Sequence, residues 1–396
     1  MKKRILLPSL FFLSSIPSLF ATTFFSGETG IAAKFTNDSV YEFDPTFGVD
    51  GYFAGQFALT NNLSLRGEFS IQTGDIFAAG LTKDVDSVFR INELSATYIK
   101  TALDTTHTFS LFTGYFENIG TQQFIQRHLH VQNYASPLTE TYLGQSNANA
   151  FSIYGIGGEY SVTFKQIPLA VGLIFNKSGK NGDNPQLNLD LRGATSFRYV
   201  TIDLLGGLNG ENKTTNAFIH IDTVYVHLGL DMLIGNNYTP FAFYTQAGLS
   251  YLMTSKSNET SDFDIKQLYF LVEPRFQAKG VRFSITAYNI PQDQVNKLFF
   301  IDETLGANFR LYLNELHTSK REYAVGLNAG ADFTGKFMNN FTDSDIIDSM
   351  NIKISPFAEI EALGGKIEAM LKLNVSNLME ENKTVFKFHV GYRREL

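Results

Sequence analysis

The most constraining feature of this sequence is a two-residue alternation within its strand-like segments. Near the carboxyl end, one parity carries Phe386, Phe388, Val390 and Tyr392, and the other carries Lys387, His389, Gly391 and Arg393. Successive side chains of a strand point to opposite faces, so one face of this segment is apolar and the other is polar. The pattern recurs along most of the chain and predicts many amphipathic strands separated by turns rich in Gly, Asn and Asp.

Alternation alone leaves two all-β architectures open. The apolar face packs in the core of a soluble sandwich, whereas it contacts lipid in a membrane barrel whose polar face lines the lumen. The connections favour the barrel, because short links such as 102–105 and 279–280 interleave with longer ones such as 118–147. The segment Asn314–Arg321 is predicted to be a charged link. The prediction is an antiparallel up-and-down barrel of about 16–18 strands with both termini on the short-turn side.

The amino terminus has the pattern of a secretory signal peptide. The basic start Lys2–Arg4 precedes an apolar run from Ile5 to Ile16, and Ala21 provides a small residue for cleavage. The predicted organisation is therefore a signal peptide at 1–21 followed by one barrel domain at 22–396. No later run approaches the ~18 uninterrupted apolar residues of a spanning helix.

Composition excludes several classes of function. The chain has no cysteine, so disulfides, thiol catalysis and thiolate metal sites are excluded. Its net charge of −7 argues against nucleic acid as a partner and predicts at most a weak preference for cations in a pore. The serine-hydrolase elbow and the zinc-protease helix motif are both missing, so we predict neither an enzyme nor a bound cofactor.

The charged parity of the predicted strands is assigned to the lumen. Charges do not lie unpaired in a dry core, so their number predicts a wet interior. The expected pore-lining residues are Arg66, Glu68, Asp190, Arg192, Glu273, Arg275, Arg282, Arg310, Lys366 and Lys372. The opposite parity, including Leu228, Phe309, Leu371 and Phe386, is expected to face lipid. Cross-strand pairing that only stabilises the wall is the alternative for each lumen charge.

The longest predicted connection, 118–147, is the candidate constriction. Long loops are usually functional or disordered, and this one either folds into the lumen or lies on the surface. The polar residues proposed to narrow the pore are Gln122, Gln123, Arg127, His128 and His130. His128 and His130 lack a third ligand at a suitable spacing, so no metal site is predicted.

The signal peptide, the alternating strands and the final strand Phe386–Tyr392 together resemble bacterial outer-membrane porins. The resemblance is architectural and implies a transmembrane barrel with periplasmic termini in the outer membrane of a diderm bacterium. It further implies diffusion of small hydrophilic solutes and ions, contact with outer-membrane lipid and with the barrel-assembly machinery, and association as a homotrimer. Two alternatives stay open: a fatty-acid-type transporter of hydrophobic compounds, with an apolar lumen patch, and a surface adhesin or antigen, with a filled lumen.

Overall fold

A computed structural model defines the fold. It describes residues 24–37, 45–76, 88–144, 152–178, 186–212, 221–236, 239–255, 267–295, 297–318, 321–333, 350–379 and 384–396. The predicted signal peptide lies outside the described residues.

Eighteen strands make up the sheet. They are β1 (Phe24–Asn37), β2 (Thr46–Ala58), β3 (Leu63–Gln72), β4 (Val88–Ala102), β5 (Thr105–Tyr115), β6 (Tyr154–Phe164), β7 (Leu169–Ser178), β8 (Gln186–Phe197), β9 (Val200–Asn212), β10 (Ile221–Ile234), β11 (Phe241–Ser255), β12 (Leu268–Ala278), β13 (Val281–Asn289), β14 (Leu305–Thr318), β15 (Arg321–Phe333), β16 (Met350–Ala362), β17 (Gly365–Asn374) and β18 (Phe386–Glu395).

The sheet closes on itself as an antiparallel up-and-down barrel. Each strand pairs with its neighbours in sequence, and β1 also pairs with β18, so that Ile31 lies opposite Tyr392 and Phe35 opposite Phe388. Closure leaves no open sheet edge, which backbone groups surrounded by lipid require. The predicted barrel is confirmed, with 18 strands.

Tight two-residue turns, such as Leu103–Asp104 and Lys279–Gly280, lie at one end of the barrel, and both termini of the sheet lie at that same end. The predicted link Asn314–Arg321 is wrong. Strand β14 continues to Thr318, which pairs with Arg321, and a register irregularity lies between Leu313 and Leu316. A bulge of this kind breaks the two-residue alternation, and the sequence pattern therefore resembles a loop.

The outer surface of the barrel is apolar. In β8, Leu189 and Leu191 are exposed while the neighbouring Asp190 and Arg192 are buried. Leu228 and Phe309 are likewise exposed, and the rings of Phe283 and Phe309 lie 6.4 Å apart on the same face. Continuous exposed apolar surface marks a membrane or protein interface, and around a closed barrel it is the face that contacts lipid.

Within the described residues, helical structure is confined to short pieces. They are α1 (Gln123–Leu129), α2 (Gln292–Val295) and two 3-10 segments at Pro137–Thr139 and Val375–Met379. Within the described part of the chain, no helix has the length and apolar character needed to cross a membrane.

Two connections fold into the barrel interior. The first inward segment, residues 116–144, follows β5, and the second inward segment, residues 290–295 and 297–304, follows β13. Their apolar side chains pack with the inner wall in one buried cluster, whose members include Phe124, Ile125, Leu138, Val295, Leu298, Ile301, Tyr244, Leu271 and Phe357. These contacts fix both segments inside the barrel, where they position the candidate site.

Candidate functional site

The start of the first inward segment is anchored to the wall by Arg192 of β8. Its guanidinium donates to Asp203 of β9, from Nε to Oδ1 over 2.9 Å and from Nη2 to Oδ2 over 2.5 Å. It also donates to the main-chain carbonyl of Glu117 and lies 4.6 Å from the ring centre of Phe124. Arg192 and Asp203 are fully buried, so the low dielectric strengthens the attraction that joins wall and segment.

A second anchor joins α1 to the wall through Arg127. Its Nη1 lies 2.6 Å from Glu117 Oε1 and 3.7 Å from Glu159 Oε2 of β6. Both carboxylates are buried. Burial raises the pKa of Glu117 to about 8, and the Arg127 guanidinium only partly opposes that shift.

His128 is fixed from both ring nitrogens. Nδ1 lies 3.1 Å from Thr163 Oγ1 and Nε2 lies 3.2 Å from Ser161 Oγ, both on β6. Burial lowers the pKa of His128, which favours the neutral ring. His128, Glu117 and Glu159 offer ligand atoms within 4.8 Å of one another, which is the composition of a metal site that the sequence spacing did not indicate. The Arg127 guanidinium beside these two carboxylates already supplies the positive charge that a metal ion would bring.

Gln122 orients the turn that leads into α1. Its Nε2 donates to Asp231 Oδ2 of β10 over 3.3 Å, and its Oε1 accepts from the main-chain N–H of Tyr134 over 2.7 Å. Gly120, in the same turn, has φ +90°, and a Cβ there would lie 1.5 Å from Gln246 Nε2 of the wall. A residue with a side chain would be strained at this φ, and its Cβ would also displace the Gln246 amide.

The structure separates the five proposed constriction residues into two groups. Gln122, Arg127 and His128 bind the first inward segment to the wall. Gln123 lines a cavity and His130 is exposed.

Among the described residues, the cavities between the inward segments and the wall include three with charged linings. The arginine cavity, about 280 Å³, is lined by Tyr134 and by Arg275, Arg282, Arg310 and Lys366 among others. The aromatic cavity, about 150 Å³, is lined by residues that include Tyr142, Phe299, Phe300, Phe357, Lys387 and Arg393. A third, about 140 Å³, is lined by residues that include Glu28, Tyr52 and Gln126.

Glu140 lines all three of these cavities. It is exposed, and its Oε2 lies 3.6 Å from Arg393 Nη1 of β18. Glu140 was not among the residues selected from the sequence. The predicted loop contained it, but the alternation of the strands carries no information about which loop residue points into a cavity.

The ten proposed pore-lining residues also divide. Glu273, Arg275, Arg282, Arg310 and Lys366 line the arginine cavity. The other five lie in buried or half-buried ion pairs on the inner face of the wall: Arg66 with Glu68 and Glu93, Asp190 with His227, Arg192 with Asp203, and Lys372 with Asp302 of the second inward segment.

The second inward segment is anchored by Asp302, which sequence analysis missed. Its carboxylate lies 2.6 Å from Lys372 Nζ, 3.0 Å from Lys387 Nζ and 3.7 Å from Lys353 Nζ. Burial raises the pKa of Asp302, but the three ammonium groups outweigh burial and hold that pKa below its usual range. The apolar run Leu298–Ile301, which lies between two amphipathic strands, was the available signal.

The architecture decides the class of this molecule, because a closed ring of strands carries an apolar outer face and a charged, cavity-bearing interior. The chain folds as a porin-like outer-membrane β-barrel. No protein-family model matches the sequence, and no curated protein is similar to it.

Comparison with solved structures gives weak similarities to other outer-membrane barrels. A mutant of Rhodopseudomonas blastica porin has a TM-score of 0.45 and 11% identity, covering 95% of this chain and all of the porin. Vibrio cholerae OmpT, an outer-membrane protein described in a trimer form, has a TM-score of 0.38 and 12% identity, covering 95% of this chain and 99% of OmpT. Neither similarity bears on the solute or the site residues of this barrel.

Proposed function

We propose that the barrel is an outer-membrane channel for small hydrophilic solutes and ions, narrowed by the first inward segment. The observation that carries this proposal is the set of cavities with charged linings inside the ring of 18 strands, all three of which share Glu140. A ring of this size is too wide for wall side chains alone to fill, and barrels of similar strand number leave an aqueous channel.

The chemistry of the interior supports a hydrophilic solute over a hydrophobic one. Each of the three cavities has charged residues in its lining, including Arg310, Lys387 and Glu28. Phe299 and Phe300 line the aromatic cavity, but they share that lining with charged residues that include Lys387 and Arg393. A fatty-acid-type transporter would instead present a continuous apolar lining to its cargo.

Planar-bilayer recording tests the proposal. The purified barrel is expected to give stable single-channel conductance in KCl. Deleting residues 121–144 should raise the conductance without abolishing insertion, because it removes the material around Glu140. Glu140→Gln should change conductance while the anchors stay in place, and Glu361→Gln, an exposed residue outside the described cavity linings, is the matched control.

The outcomes separate the parts of the proposal. Absence of any conductance from correctly inserted protein would refute the channel and leave the adhesin or antigen as the better explanation. Conductance that the deletion leaves unchanged would refute only the constriction.

Processing, orientation and assembly complete the proposal. Cleavage of residues 1–21, periplasmic termini and association as a homotrimer are all included. The intact mass of the protein in the outer-membrane fraction measures signal cleavage. Protease accessibility of the turns in whole cells measures the orientation of the termini, and native mass in detergent measures the number of subunits.

A further inference from the structure

We infer that the arginine cavity is a binding subsite for small organic carboxylates, and that the channel therefore prefers anions. The inference rests on the proposed channel function and specifies its solute class. It runs against the net charge of −7, which by itself predicts a weak preference for cations.

The strand register gathers three guanidinium groups on one side of the cavity. Arg275 of β12 lies opposite Ser284 of β13, which in turn lies opposite Arg310 of β14. Arg282 of β13 lies opposite Tyr312, one diagonal step from Arg310. Diagonal neighbours are about 7–8 Å apart, close enough for long side chains to converge on one ligand.

The acidic wall residues of this cavity are already occupied by protein partners. Glu273 Oε1 accepts from Arg275 Nε over 2.6 Å, and Oε2 accepts from Ser136 over 2.5 Å and from Thr286 over 2.7 Å. These contacts satisfy the carboxylate and leave little negative potential for a cation to use.

Glu359, on the opposite part of the lining, is occupied in the same way. Its Oε2 lies 2.6 Å from Lys366 Nζ and accepts from the Tyr312 hydroxyl over 3.0 Å. The negative charge of each of these two wall acids is therefore matched by a neighbouring cation.

The arginines retain unused hydrogen-bond donors. Among the described residues, no acid lies within ion-pair distance of Arg282 or Arg310. Arg275 uses its donors within the protein, because Nε donates to Glu273 and Nη1 donates to the Tyr134 carbonyl over 2.8 Å, so the free donors are those of Arg282 and Arg310. The Arg310 guanidinium lies 4.1 Å from the ring centre of Phe357, a contact that positions the group without consuming its N–H donors.

The ligand class follows from these donors. A guanidinium presents paired N–H groups whose geometry matches both oxygens of a carboxylate. The cavity of about 280 Å³ is lined by four cations, Arg275, Arg282, Arg310 and Lys366, and by three acids, Glu140, Glu273 and Glu359. With both wall acids paired internally, a small carboxylate supplies the missing acceptor.

The adjoining aromatic cavity has the same sign of charge. Its described lining contains five Lys and Arg residues, namely Lys34, Lys297, Arg310, Lys387 and Arg393, and three acids, namely Asp50, Glu140 and Glu368. Arg310 and Glu140 line both cavities. The two cavities that share Arg310 therefore both have more cations than acids in their linings, and local potential sets ion preference more directly than net charge does.

Reversal potentials and current block test the inference. In a KCl gradient across a planar bilayer, the intact channel should favour chloride over potassium. Arg282→Ser and Arg310→Ser should each shift the reversal potential toward potassium, whereas Arg198→Ser, in the β8–β9 turn outside the cavity linings, should leave it unchanged.

The ligand class is tested by adding succinate, phosphate or glucose to the KCl bath. Succinate should reduce the current, and Arg310→Ser should raise its half-blocking concentration about tenfold, the effect of losing one hydrogen-bonded charge contact. A conducting channel that prefers potassium, or block by phosphate or glucose but not by succinate, would overturn the inference and leave the channel function standing. Absence of conductance would overturn both.

Discussion

Removing the Arg192 guanidinium is expected to destabilise the barrel and release the first inward segment together. Arg192→Met deletes two hydrogen bonds to Asp203, at 2.9 and 2.5 Å, and one to the Glu117 carbonyl. Asp203 is then buried without its counter-charge. Breaking a buried pair from one side costs about 3–5 kcal/mol, and we expect a loss of that size in the free energy of unfolding.

The double variant Arg192→Met with Asp203→Leu separates charge burial from packing. It removes both charges, and buried pairs replaced by apolar residues of similar volume are often neutral in stability. Methionine also retains a favourable contact with the ring of Phe124, which lies 4.6 Å below the guanidinium. The double variant should therefore regain most of the lost free energy of unfolding. This corresponds to an interaction energy of about 3 kcal/mol between the two substitutions.

Equilibrium urea unfolding in lipid vesicles measures both variants. The chain has no tryptophan, so far-UV circular dichroism or the gel shift of folded barrels reports the transition. Limited proteolysis within residues 116–144 provides a second readout, because Arg192 contacts that segment through Glu117 and Phe124. A single variant that loses less than ~1 kcal/mol, or a double variant as unstable as the single, would refute the assignment of this anchor.

Three further outcomes are expected. Leu228→Arg, on the exposed outer face, should lower the free energy of unfolding in vesicles by about 2–4 kcal/mol. Gln277→Arg, in the arginine cavity, should lower it by under ~1 kcal/mol. Equal losses for the two variants would contradict the assignment of outward and inward faces. The raised pKa of Glu117, about 8, means that its stabilising contribution is complete below its usual pKa and is lost as pH rises through about 8. Proteolysis of residues 116–144 should accelerate over that range, and Glu117→Gln should flatten the profile. Single cysteines at Phe309 and Arg310 should react with membrane-confined and water-soluble labels respectively, and the reverse would invert β14.

The ring of strands could be predicted from the sequence because it depends on a local rule, the two-residue alternation of side chains along a strand. Leu228 and Phe309 were assigned to the lipid face from parity alone, and both are exposed there. The rule failed where the backbone departs from it, at the irregularity between Leu313 and Leu316. One extra residue in a strand reverses the parity of everything beyond it, so local alternation cannot predict a bulge.

The interior was less accessible because parity distinguishes inside from outside but does not indicate what covers an inward side chain. Arg192 and Arg282 have the same inward parity, yet Arg192 is fully buried beneath the first inward segment and Arg282 is exposed in a cavity. Asp302 illustrates the same limit. Its partners Lys353, Lys372 and Lys387 come from three different strands, and only the assembled ring brings them to one carboxylate.

The seam between β1 and β18 has a consequence for how the chain reaches this fold. Ala33 pairs with Val390, so the contact that completes the ring joins opposite ends of the sequence. Until β18 pairs with it, the edge of β1 that faces away from β2 has unpaired N–H and C=O groups. Lipid tails cannot form hydrogen bonds with these groups. Contacts at such long sequence separation form slowly, and an exposed edge is prone to pair with other chains. Closure of the ring is therefore expected to be the late, slow step of folding. Its rate should depend on what protects the unpaired edge of β1 before β18 pairs with it.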